Sequence, residues 1–159
     1  AMTLDCPSAV RYPRGAGMGV PAGTGLGTLP VGKGEIRRAG KNVAILAFGS
    51  MLAPSLAAGE AIDATVANMR FVKPIDRELV LQLAREHSLL VSVEENALIG
   101  GAGSEVARVL EEAGLSTPLL RLGLPDRFID HGDHARLLAE LGLDRDGIVK
   151  AIRTRQPAQ

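Results

Sequence analysis

The chain has no tryptophan, one tyrosine and three phenylalanines among 159 residues. So few aromatics leave no platform on which nucleobases could stack. Its single cysteine, Cys6, cannot close an internal disulfide, which fits a reducing compartment and predicts a cytoplasmic protein. No His or Asp pattern surrounds Cys6 to make it a nucleophile. Excess charge is missing too: 18 Lys+Arg balance 18 Asp+Glu. Binders of nucleic acid or anionic membranes carry a basic surplus, so neither is an expected partner. No apolar run is long enough to cross a bilayer. Ala1-Met2-Thr3-Leu4-Asp5 lacks the basic start and apolar core of a signal peptide. Ala1-Met2 reads as a remnant ahead of an unnatural start, so the chain is expected to be a piece of something longer.

What is present suits a globular domain, with 46% hydrophobic and 23% charged residues. Ser8–Tyr12 is a strand candidate that Pro13 stops. Residues 15–34 hold glycine at alternate or near-alternate positions, two prolines and one charge, Lys33, and read as an extended linker. This divides the chain into 1–14, the end of another domain; 15–34, the linker; 35–155, the main domain; and 156–159, a tail. Thr154 and Arg155 are expected to fray with that tail.

Within 35–155 strands alternate with helices. Glu35–Arg38 is expected as an edge strand. Asn42–Phe48 is a continuous apolar run of strand length, as in parallel strands covered on both faces. Further strands are expected over 64–69, 89–93 and 118–122. Helices are expected to about Ala61, after the Asp76 N-cap, after Ser104 as cap with Gly114 closing, and near 133–141 and 145–155, the last capped by Asp144. The expectation is a three-layer α/β/α domain with a mostly parallel five-stranded sheet.

Candidate chemistry collects beyond strand ends. Gly100-Gly101-Ala102-Gly103-Ser104 ahead of a helix could cradle a phosphate, but it matches neither a Walker A nor a dinucleotide fingerprint, so a tight βα turn is favoured. Glu94 and Glu95 are adjacent on a strand and point to opposite faces, so they cannot form a dyad on one substrate. One of them could be an active carboxylate, but the commoner outcome, and the one expected, is that both bond loop N–H groups at the strand end. His131, Asp133 and His134 have metal-like spacing but too few donors; Asp133 as a helix N-cap fits better. His87 ends a helix, where a cation suits the dipole. Arg11 and Arg14 flank Pro13; Arg14 leaves a strand end carrying a fork of donors matched to phosphate. These residues alone give no nucleophile–base pair, metal cluster or cofactor loop.

Three blocks together are more specific: Ser8-Ala9-Val10-Arg11-Tyr12-Pro13-Arg14-Gly15, Met69-Arg70-Phe71-Val72-Lys73-Pro74-Ile75-Asp76, and Val93-Glu94-Glu95-Asn96 through Gly100-Gly101-Ala102-Gly103-Ser104. With Gly123-Leu124-Pro125-Asp126 and Glu140-Leu141-Gly142-Leu143, they resemble the C-terminal end of the 1-deoxy-D-xylulose-5-phosphate synthase family, which is similar to transketolase. The resemblance implies a much longer homodimeric enzyme that uses thiamine diphosphate and Mg²⁺ to condense pyruvate with glyceraldehyde 3-phosphate, with loss of CO₂, toward isoprenoids, thiamine and pyridoxal. It implies that residues 1–14 end a pyrimidine-binding domain and that the missing N-terminal portion is the chain's partner. Among site residues it assigns only Arg14, to the substrate phosphate. It gives this chain no catalytic, cofactor-binding or metal-binding residue, and implies that the chain alone is inactive. A stand-alone dimerisation module and a nucleotide-binding α/β domain using residues 100–104 remain open as alternatives. A related thiamine enzyme, such as the β chain of a 2-oxo acid dehydrogenase, is a distant one.

Overall fold

The computed structural model describes residues 5–7, 9 and 27–155. Five strands, β1 (Glu35–Arg38), β2 (Val43–Ala47), β3 (Thr65–Asn68), β4 (Leu89–Ala97) and β5 (Leu119–Leu124), alternate with five helices. These are α1 (Leu52–Ile62), α2 (Arg77–Glu86), α3 (Ala102–Glu112), α4 (His134–Glu140) and α5 (Arg145–Arg155). The strands lie in the order β1-β3-β2-β4-β5. All pairings are parallel except β1 with β3. The expected three-layer α/β/α arrangement with a mostly parallel five-stranded sheet and β1 at its edge is the one observed, and the structure makes that edge strand antiparallel.

The apolar run of β2 shows why the sheet is covered twice. Alternate side chains of a strand face opposite ways. Val43 and Ile45 join Ala58 of α1 and Ile148 and Ile152 of α5 in one core layer. Ala44 and Leu46 join Val80 and Leu83 of α2 and Val106 and Val109 of α3 in the other. A half-polar strand could not fill both layers. The chain steps from β2 to β3 through α1 on one face, then back across to β4 through α2 on the other. Reversing direction and face together keeps the crossovers of one hand. The reversal leaves a crevice between the carboxyl ends of β2 and β4, the place where α/β sheets collect functional groups.

Several boundaries differ from expectation for identifiable reasons. β4 continues past Val93 to Ala97, because its end keeps pairing with β5: Ala97 lies opposite Leu124 after a register shift. α5 runs through Thr154 to Arg155 rather than fraying, with the Thr154 hydroxyl donating to the Lys150 carbonyl at 2.9 Å. The linker reading falls mostly outside the described residues, but its end is packed. Gly32 is buried against Pro74, and the Gly34 N–H donates to Asp76 Oδ2 at 2.9 Å. Asp76 also caps α2 through the Leu79 N–H, so one carboxylate ties the arriving chain to a helix start.

Ser92, on β4 and fully buried, faces Gly103 of α3 and finds no hydrogen-bond partner among the described residues. A buried hydroxyl left unpaired costs stability. Ser92→Ala is therefore expected to raise the unfolding free energy by about 1 kcal/mol. Equilibrium urea denaturation measures this, and a loss of stability would contradict it.

Candidate functional site

The carboxyl edge of the sheet carries a group of polar side chains that reaches across several elements. Glu94 and Glu95 leave β4 on opposite faces, as the pleat requires. Glu94 is 3% exposed and turns toward α3. Its carboxylate accepts from the Ala102 N–H at 2.7 Å and the Gly103 N–H at 2.8 Å. The first N–H groups of a helix have no partner within it, and the dipole there favours negative charge. Glu94 supplies both. Gly101 stands at the N-cap, and no local side chain caps α3.

Two expectations are corrected here. Ser104 does not cap α3; it lies inside the first turn, and its hydroxyl donates to the Leu98 carbonyl at 3.2 Å. A carboxylate from the preceding strand has taken the cap's place. The same contact decides between the readings of residues 100–104. The N–H groups that would cradle a phosphate are already bonded to a buried carboxylate, so the loop is a βα junction. Glu95, in turn, bonds no loop N–H group. Its Oε2 accepts from the Ser50 hydroxyl at 2.6 Å, and its Oε1 lies 2.5 Å from His134 Nε2.

Ser50 sits in the short 3-10 turn Gly49–Met51 just beyond β2. His134 opens α4 behind its cap Asp133, whose side chain accepts from the Arg136 N–H at 2.9 Å. Glu95, on β4, thus joins the turn after β2 to the start of α4 over the crevice between β2 and β4. Partial burial opposes its ionisation, but the Ser50 hydroxyl and His134 outweigh that and hold its carboxyl below the ordinary carboxylate range. Ser50 and His134 both address the carboxylate and not each other. The imidazole cannot take the serine proton, so this is no nucleophile–base relay. Beside it, residues 96–99 and 124–129 line a groove of about 600 Å³, with Ile99 and Phe128 on its walls.

The other sequence candidates are dispersed. His131 is exposed and joins no cluster. Among the described residues no three His, Cys, Asp or Glu side chains come together as a metal site. His87 follows α2, with Nδ1 3.0 Å from the Leu83 carbonyl and Nε2 2.8 Å from the Thr65 hydroxyl. A carbonyl only accepts, so Nδ1 carries a proton, and the ring fastens the end of α2 to β3. Cys6 is free and exposed. Arg11 and Arg14 lie outside the described residues. Ser50 and the groove carried no signal in the sequence; only the switch in strand order singles them out.

The family described as "Transketolase, C-terminal domain" matches residues 32–148. The chain is 66% identical to a 1-deoxy-D-xylulose-5-phosphate synthase of Dechloromonas aromatica over 100% of its own length and 26% of the relative's. It is 58% identical to the synthase of Ralstonia pickettii, again over 100% of this chain and 26% of the other. The chain thus spans about a quarter of the length of these curated relatives. Among solved structures, a "Split gene transketolase, inactive beta4 tetramer" superposes with a TM-score of 0.72 at 36% identity, covering 79% of this chain and 42% of that one. With its five-stranded, mostly parallel sheet between helical layers, the chain belongs to the transketolase C-terminal domain family.

Proposed function

We propose that the chain is the C-terminal domain of a 1-deoxy-D-xylulose-5-phosphate synthase, working in the cytoplasm as part of a longer, homodimeric chain. That enzyme condenses pyruvate with glyceraldehyde 3-phosphate and releases CO₂. The observation that carries this reading is the 66% identity over the full length of the chain to a protein of that name.

Thiamine diphosphate and Mg²⁺ belong to this reading, but the described residues do not fit them. The Ala102 and Gly103 N–H groups at the glycine-rich start of α3 are bonded to Glu94, and among the described residues no three His, Cys, Asp or Glu side chains come together for a metal. The cofactor is assigned to the preceding part of the longer chain. The present residues contribute a rigid sheet edge. Glu94 locks α3 to β4.

Arg14 is the substrate contact of this reading. A guanidinium offers two parallel N–H donors to phosphate oxygens. In the longer chain, Arg14→Ala should weaken transition-state binding of glyceraldehyde 3-phosphate by about 2 kcal/mol, the scale of a lost hydrogen bond to a charged group. The kcat/KM for the aldehyde should fall roughly thirtyfold, while that for pyruvate binding stays within a factor of a few. An unchanged specificity constant removes Arg14 from the site. A longer chain that forms no 1-deoxy-D-xylulose 5-phosphate from the two substrates overturns the proposal.

A further inference from the structure

The large hydrophobic side chains left exposed are not scattered. Among the described residues they are Leu29, Val31, Ile36, Val72, Ile99 and Phe128, with Phe128 102% and Ile99 73% exposed. Ile36 lies within β1. The other five all project beyond the carboxyl ends of the parallel strands. Val72 is in the connection after β3, Ile99 after β4 and Phe128 after β5. Leu29 and Val31 reach the same edge from the other direction. β1 runs antiparallel, so its first residue, Glu35, pairs with Asn68 at the carboxyl end of β3. The chain ahead of Glu35 must therefore arrive on that side. The opposite, amino edge exposes no large hydrophobic side chain among the described residues.

Single exposed hydrophobic residues need no explanation, but five on one edge, two of them lining an apolar groove, mark a face built to be covered. The geometry points to its occupant, and we infer that the carboxyl edge is the docking face for the polypeptide that precedes this domain in the longer chain. This inference rests on the reading of the chain as one domain of such a synthase. Two observations select this occupant. The relatives are about four times as long as the chain, and the family matched is a C-terminal domain, so the bulk of the longer chain lies ahead of it. The polypeptide also enters from the very edge that carries the apolar side chains. Gly32 is buried on Pro74, and Gly34 and Lys33 are held by Asp76 and Glu78, with Lys33 Nζ 2.6 Å from Glu78. The described chain thereby arrives at the carboxyl edge of the sheet and not at its amino edge. Phe128 and Ile99 are its anchors, aromatic and aliphatic side chains of the kind that dominate buried interfaces.

Amide hydrogen exchange, read by peptide mass spectrometry, tests this on the longer chain and on the 159-residue chain. Peptides covering 98–101 and 125–131 should exchange at least tenfold more slowly in the longer chain. Peptides on the amino edge, around 39–42 and 63–64, should exchange alike in both. In the longer chain, Phe128→Glu should abolish the added protection at 98–101. Equal exchange of the groove peptides in the two chains overturns the inference. So does groove protection in the 159-residue chain that grows with its concentration, which would give the face to a second copy. Synthase turnover by the longer chain, measured on the same sample, separates the two claims. Turnover without groove protection sinks the docking face alone, and groove protection without turnover sinks the functional reading alone.

Discussion

Glu94→Ala is expected to lower the unfolding free energy by about 3 kcal/mol, more than a surface helix cap is worth. The side chain is 3% exposed and serves two backbone donors at once. Removing it strands the N–H groups of Ala102 and Gly103, both in buried residues, where water cannot replace the lost acceptor. It also withdraws the negative charge that faces the helix dipole. Glu94→Gln keeps one acceptor oxygen but turns an amide N–H₂ toward the other donor, so it should lose about 2 kcal/mol. Urea denaturation of the parent and both variants checks the order. A loss below 1 kcal/mol in Glu94→Ala would mean that α3 is held by its apolar face alone.

Gly101→Ala is expected to cost about 3 kcal/mol, through crowding and not through backbone strain. Gly101 has φ −78° and ψ −172°, which any residue adopts. A Cβ there would meet the Ala97 carbonyl oxygen at 2.3 Å and Glu94 Oε2 at 2.4 Å. The first is backbone and the second belongs to a carboxylate held by two hydrogen bonds, one on each oxygen, so neither can yield cheaply. The neighbouring glycine is the control. Gly100 has φ +72°, but a Cβ on it meets nothing within 4 Å. Gly100→Ala should cost only the left-handed penalty, about 1 kcal/mol. The two glycines of one motif thus have different reasons. A Glu94→Ala/Gly101→Ala cycle should show coupling, because the first change empties part of the space that the second needs. Additive losses, or a Gly100 variant worse than the Gly101 variant, would refute this arrangement.

Local signals carried most of the fold. The unbroken apolar run before Gly49 required a strand covered on both faces, and Asp76, Asp133 and Asp144 all stand at helix starts where their short carboxylates can serve N–H groups. The candidate site was less legible because its decisive contacts are distant in sequence. Ser104 has the right chemistry for a cap, yet the donors of α3 were met by Glu94 across the βα loop. Ser50 lies 45 residues from the carboxylate it serves, and His134 lies 39 residues from it on the other side. No spacing rule joins them. The exposed edge was also invisible: Ile99 and Phe128 look like ordinary hydrophobic residues until the topology sets them on one side. Arg14 rests on family resemblance and general phosphate chemistry.

On the proposed reading, this chain is one domain of a synthase whose cofactor is held by the preceding polypeptide. Calorimetric titration of thiamine diphosphate with Mg²⁺ into the 159-residue chain, and separately into the longer chain, tests it most directly. Saturable binding to the longer chain and no heat of binding to the 159-residue chain are expected. Saturable binding by the 159-residue chain, with formation of 1-deoxy-D-xylulose 5-phosphate, would contradict it.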